Sequence, residues 1–378
     1  MSTWTKTPNF GHKGVDDQAQ SLAESLLTGK PVVRADARAR GVDRTPKFKP
    51  RAKPRFGRKD VSESFACAVD RMVRRQGQAL RGHGWKFWAS TLVALMLALQ
   101  ALAGLFDWPS PTLGGRQLWT DVRVAGGWRV QCHAWTGHCR LLDTHDIRRT
   151  WGGETPVLAA LDQAIDAGRV LAPNAHAVVL VHGLGRSAHS FDALAEALDM
   201  RGYEVVRFNY ASTQGPIAEH ARALNRVVAR LQGTRRVSFV THSLGGVVLR
   251  QALALKPAWR SALEQGPSVL LAAPNQGSAV ARTLADFAPA RALFGPALSE
   301  LADAGAIKRL PSPTPFATVA GTHNPLWFFA GDSDGLVSVE ESRLAGEAER
   351  LEVEAAHTFI MDDPRVIGFV TGFIAGQK

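Results

Sequence analysis

A chain of 378 residues, 45% of them hydrophobic, is long enough for one large or two average domains with a packed core. Its formal net charge of +11 belongs wholly to residues 1–86, which carry 19 Lys+Arg against 8 Asp+Glu, while the remainder holds 26 of each sign. The basic character is a property of one tail, so charge gives no reason to expect nucleic acid as a partner of the main body.

Residues 1–60 contain only ten Leu, Ile, Val or Phe, with Pro and basic residues crowded into 45–54. Such a segment buries too little apolar surface to offset its ordering entropy and is predicted to be a disordered basic tail. Over 61–86, Val61, Phe65, Val69 and Met72 recur at helical spacing, with Arg71, Arg74 and Arg75 mostly elsewhere around the helix. This reads either as a juxtamembrane amphipathic helix on an anionic surface or as a solvated linker.

Residues 87–106 form a run of 20 without a charge, the length of a bilayer's hydrocarbon core. Trp85, Trp88 and Trp108 sit at its ends, where amphipathic rings favour the interface. Arg71, Arg74, Arg75, Arg81 and Lys86 precede it, whereas Arg116 and Arg123 follow beside Asp107 and Asp121. The expectation is a single transmembrane helix in the inner, cytoplasmic membrane, with the N-terminus cytoplasmic and the C-terminal domain outside. A buried core helix or a cleaved signal peptide are the alternatives; an n-region of 86 residues weakens the second.

Cysteine usage fits that topology. Cys67 lies on the cytoplasmic side, and Cys132 and Cys139 fall in two strand-like segments, 128–134 and 138–142, joined by a turn. Pairing those strands sets the two thiols opposite each other, within reach of a disulfide in an oxidising compartment. Free thiols, or a metal site completed by His133 and His138, remain open; neighbouring strand residues face opposite ways and converge poorly on an ion.

From 119 to 378 the pattern is that of a folded domain. A helix is predicted over 155–165, with Thr155 as cap and Pro156 in the first turn. Strand-like runs at 176–181, 203–209, 236–240, 268–272, 316–320 and 349–355 then alternate with helical patterns that include 190–200, 217–231 and 244–255. Near-continuous apolar strands between helices predict an α/β fold, its mostly parallel sheet covered on both faces. Between Pro274 and Pro315, the segment 275–315 carries Val280, Leu284, Phe287, Leu293, Phe294, Leu298 and Leu301, broken by Pro289 and Pro296. It reads as a lid over an apolar pocket or as ordinary helix packing.

The strands carry the chemistry at their ends. The run 176–181 leads into His182-Gly183-Leu184-Gly185, and the run 236–240 into Thr241-His242-Ser243-Leu244-Gly245-Gly246. A serine between a strand and a helix sits on a sharp turn with a helix amino-terminus behind it, which suits developing negative charge. Gly245 and Gly246 let that helix approach the strands. Asp334 follows in Gly331-Asp332-Ser333-Asp334-Gly335-Leu336-Val337, and His357 lies just past the last strand. Of twelve histidines, His357 alone is placed after the acid on a loop free to fold towards Ser243. His323 precedes the acid, His242 is expected to point elsewhere along the turn, and His182 reads as a residue that holds its loop.

These motifs, with Pro274-Asn275-Gln276-Gly277-Ser278 after the next strand, resemble the α/β-hydrolase superfamily over about 175–370, and most nearly its bacterial lipase and esterase branch. Thr241 stands where the commonest form of the motif has Gly. The resemblance implies a triad of Ser243 as nucleophile, His357 as base and Asp334 as its orienting acid, with Asp332 the second choice. By position, the Leu184 and Leu244 N–H groups form the oxyanion hole. It implies a carboxylic-ester hydrolase working through an acyl-enzyme; the apolar segment 275–315 and the expected anchor point to lipid or small acyl esters, and nothing in the sequence suggests a metal or an organic cofactor. An acyltransferase using the same triad, or a catalytically silent envelope scaffold, are the competing expectations.

Overall fold

The computed structural model describes residues 110–111, 117–325 and 332–376. The expected basic tail (1–60), juxtamembrane segment (61–86), transmembrane helix (87–106) and Cys67 all lie outside the described residues. Among the described residues, no helix is long and apolar enough to cross a membrane.

Two sheets organise this region. The first is antiparallel, in the order β1-β5-β4-β3-β2, from β1 (Ser110–Pro111), β2 (Trp119–Ala125), β3 (Trp128–His133), β4 (Cys139–Leu142) and β5 (Ile147–Gly152). Helix α1 (Glu154–Asp166) covers it, and Val122, Trp128, Val130, Leu141, Val157 and Leu161 fill the layer between. The predicted cap of α1 is corrected: Gly153 occupies the N-cap in extended backbone without a side-chain bond, so Thr155 falls inside the helix. Cys132 faces Cys139 across the β3–β4 pair, and the two are joined in a disulfide with Cα atoms 4.0 Å apart.

The second sheet is parallel, in the order β12-β11-β10-β8-β6-β7. Its strands are β6 (His176–Val181), β7 (Glu204–Phe208), β8 (Arg236–His242), β10 (Ser268–Leu271), β11 (Phe316–Gly321) and β12 (Glu349–Val353); the two-residue β9 (Glu264–Gln265) pairs with the start of β8. Alternate residues of β6 explain why it reads as one apolar run. Ala177, Val179 and Val181 enter the core on one face, Val178 and Leu180 that on the other. The first face is covered by α3 (Ile217–Val228) and α4 (Leu244–Ala254), the second by α2 (Asp192–Asp199) and α11 (Pro364–Ala375).

Between α4 and α11 the short helices are α5 (Trp259–Ala262), α6 (Ala279–Ala285), α7 (Ala288–Phe294), α8 (Pro296–Ala302), α9 (Ala304–Lys308) and α10 (Val339–Ser342). Helices α6 to α9 fill the segment read as a lid or as ordinary helix packing, and Ala281, Ala290, Leu298, Leu301 and Ile307 join the first core. Phe287 and Leu293 of the same segment stay exposed.

The antiparallel sheet is keyed into the parallel one by a buried carboxylate. Its register shifts between Asp121 and Arg123, as at a bulge. Asp121 is fully buried there; it accepts the Asn209 N–H at 2.7 Å and a Gln131 Nε2 hydrogen at 2.8 Å, with Arg129 4.0 Å away. Its own N–H donates to Asn209 O at 2.8 Å, just past the end of β7.

Candidate active site

Register brings the ends of β6 and β8 side by side, with Val181 opposite Thr241. The motif loops therefore emerge together at the carboxyl edge of the sheet, where α/β folds place their chemistry. Ser243 is the N-cap of α4 and sits at φ 52°, ψ −122°. For a residue with a Cβ this is a strained conformation that only the surrounding structure sustains. The restraint is visible: Ser243 N–H donates to Leu271 O at 2.9 Å, and α4 is jammed against β6. A Cβ on Gly245 would stand 2.2 Å from the Val181 carbonyl oxygen, and one on Gly246 would stand 2.5 Å from Ala273 Cβ. Thr241 is accommodated beneath the turn, fully buried, its hydroxyl without a hydrogen-bond partner among the described residues.

The loop after β6 runs directly over the serine. A Cβ on Gly183 would lie 3.1 Å from Ser243 Cβ. His182 anchors this loop from below, as read from the sequence. Tyr210 N–H donates to its Nε2 at 3.3 Å, so the ring proton is on Nδ1 and donates to Gly183 O at 2.9 Å. Within the loop, Arg186 N–H bonds Gly183 O and Gly185 N–H bonds Ser212 Oγ, which passes over the Leu184 N–H. The Leu244 N–H is the first of α4 and has no acceptor within its helix.

His357 Nδ1 lies 2.7 Å from Asp334 Oδ2. Asp334 is buried, and its other oxygen accepts N–H groups from Leu336 at 3.0 Å and Val337 at 2.8 Å. With both oxygens employed as acceptors, the carboxylate takes the Nδ1 proton's hydrogen bond and leaves Nε2 as the basic nitrogen. Asp332 and His323, by contrast, are exposed. Ser243 is half-buried, and its hydroxyl makes no hydrogen bond to a described residue.

Two contributors escaped the sequence reading. His242 does not simply point away: its Nε2 donates to the carbonyl oxygen of His357 at 3.0 Å, and the two rings are 4.7 Å apart. Arg186 donates from its guanidinium to Thr358 O at 3.2 Å. Residues flanking the serine and the first loop thus both grip the histidine-bearing turn.

His182, His220 and His242 are buried and neutral. Burial brings His182 down to about 3 and His220 to about 4, and holds His242 well below the ordinary imidazole range. In the unfolded chain each titrates near ~6.5. Below that pH the unfolded state binds protons the folded state refuses, so stability falls by about 1.4 kcal/mol per pH unit for each ring. Asp121, Glu204 and Asp362, raised by burial, act in the opposite sense, while His138 and His176, lowered by burial, act with the three rings. The thermal midpoint is expected to drop by roughly 10 °C between pH 7 and pH 4.5; a flat profile would contradict the neutral rings.

Among the described residues, the one group spaced as metal ligands is Cys132, Cys139 and Glu154, and its two sulfurs are bonded to each other. A metal site with His133 and His138 is not formed.

Solved structures that this region resembles include the Bacillus licheniformis lipase BlEst2 in its mature form, at 22% identity over 50% of this chain and 88% of that one, with a TM-score of 0.42. The metagenomic carboxyl esterase MGS0156 matches at 24% identity over 50% and 67% of the two chains, with a TM-score of 0.41. Phospholipase PlaB from Legionella pneumophila matches at 19% over 44% and 45%, with a TM-score of 0.37. No curated protein matches the sequence. A sequence model of the alpha/beta hydrolase family matches residues 178–367, half of the chain, and the chain belongs to that family.

Proposed function

We propose that this chain is a serine hydrolase that cleaves carboxylic esters through an acyl-enzyme. One observation carries the reading: a serine held at φ 52° on a strand-to-helix turn, at the sheet edge that also carries a buried, hydrogen-bonded His357–Asp334 pair. Ser243 Oγ attacks the ester carbonyl as its proton passes to His357 Nε2. Asp334 keeps the ring in the right tautomer and stabilises its protonated form. The Leu184 and Leu244 N–H groups hold the oxyanion, each such donor being worth on the order of 10²-fold in rate. His357 then protonates the leaving alcohol, and water, activated by the same ring, releases the acid.

The acyl group is proposed to be lipophilic. Phe294 of α7 lies against Gly185 of the oxyanion loop, so α7 contributes an apolar ring beside that loop. The apolar run 87–106 and the Cys132–Cys139 bridge support a membrane-anchored enzyme working outside the cytoplasm, where disulfides persist.

A series of p-nitrophenyl esters from acetate to decanoate tests the reading. kcat/KM is expected to rise by about tenfold for every two methylenes that become buried, and to vanish in Ser243→Ala. A maximum at acetate would sink the lipophilic preference. Ester rather than acid as the main product when an alcohol is added would make the protein an acyltransferase.

A further inference from the structure

The loop carrying the Leu184 N–H is intrinsically loose. Leu184 stands between Gly183 and Gly185, the latter at φ 68°, and glycines on both sides leave the direction of its peptide weakly determined. An oxyanion donor acts only if it is fixed before the charge appears, so the stiffness of this loop has to come from tethers.

Some of those tethers are supplied by the antiparallel sheet and the segment leading into it. Gln117, two residues ahead of β2, donates from Nε2 to the Arg186 carbonyl at 2.8 Å. On its other side, Gln117 Oε1 accepts the hydroxyls of Ser212 at 3.3 Å and Thr213 at 3.4 Å. Ser212 Oγ is in turn the acceptor for Gly185 N–H, at 3.0 Å. One carboxamide therefore closes a ring through the two residues that follow Leu184. An uncharged group that donates at one end and accepts at the other is what this ring requires, and only an amide side chain of this length provides both. A second tether has the same origin: Asn209 Oδ1 accepts Ala188 N–H at 3.3 Å, and Asn209 is pinned by Asp121 and by the Trp119 carbonyl, which takes its Nδ2 hydrogen at 2.8 Å.

We propose that Gln117 is a positioning residue for the oxyanion hole, and that the antiparallel sheet serves to rigidify the catalytic loop as well as to extend the fold. This rests on the reading of Ser243 and Leu184 given under Proposed function.

The test uses the full-length chain with p-nitrophenyl butyrate, comparing wild type, Gln117→Ala and Gln117→Glu. The glutamate is isosteric and keeps the acceptor for Ser212 and Thr213, but it cannot donate to the Arg186 carbonyl. Both variants are expected to lose about 10- to 100-fold in kcat with KM within about threefold, because loop misplacement weakens the transition state more than the bound ester. Thermal midpoints read on the same samples are expected to shift by only a few degrees. Wild-type kcat in either folded variant, or a loss confined to KM, overturns the proposal. So does failure of both variants to fold, which would assign Gln117 to the fold alone. Absence of Ser243-dependent turnover in the wild type defeats the hydrolase reading itself, and is seen before any Gln117 variant is compared.

Discussion

Replacing Ser243 with alanine is expected to lower kcat on chromogenic esters by about 10⁶-fold while leaving the protein folded. The size follows from the role proposed: without the nucleophile the acyl-enzyme cannot form, and only binding and the oxyanion donors remain, a residue of about 10³-fold over water. The fold is expected to be indifferent, because the hydroxyl makes no hydrogen bond to a described residue. Alanine keeps the Cβ, so the cost of φ 52° is unchanged and the elbow persists. Steady-state turnover with a thermal scan on the same sample checks both halves. Retention of more than about one hundredth of the activity would remove Ser243 from the mechanism.

Asp334→Asn is expected to cost about 10⁴-fold in kcat. Its Oδ1 position takes N–H bonds from Leu336 and Val337, so an asparagine is driven to put its carbonyl oxygen there. The amide nitrogen then faces His357 Nδ1, at the place now occupied by Oδ2 2.7 Å away. A donor facing Nδ1 forces the ring proton onto Nε2, the nitrogen that has to accept from the serine. The variant keeps shape and packing but presents the wrong tautomer. Asp332→Asn is the matched control; exposed at the surface, it is expected to retain kcat within about twofold, as surface substitutions away from a site do. The reverse pattern would move the acid from Asp334 to Asp332.

The parallel sheet was legible because its strands are buried on both faces. His176–Val181 is an unbroken apolar run for that reason, and its observed limits match those predicted. The antiparallel sheet was legible only in its disulfide hairpin. β2 places Asp121 and Arg123 in buried positions, paired with Asn209 and Asp162 far along the chain, so its sequence does not alternate as a half-buried strand should. β5 reads Ile-Arg-Arg-Thr-Trp-Gly and has the composition of a loop. The start of α1 was misjudged for a similar reason: a glycine N-cap leaves no side-chain signal, and Thr155 with Pro156 mimics one.

In the proposed site, order along the chain was the signal by which Ser243, Asp334 and His357 were chosen as candidates. The supports were invisible because they are set by folding. His242 grips a carbonyl 115 residues away and Gln117 one 69 residues away, and neither separation has a local pattern. Thr241, an unexpected residue in the motif, is fully buried and leaves its hydroxyl without a partner among the described residues.

The central claim is that one activated serine performs the chemistry. The most direct measurement treats the full-length protein with a fluorophosphonate and maps the adduct by peptide mass spectrometry. A single phosphonyl group on the peptide bearing Ser243, absent from Ser243→Ala, is the expected result. An unlabelled wild type, or equal labelling of the two proteins, would contradict it.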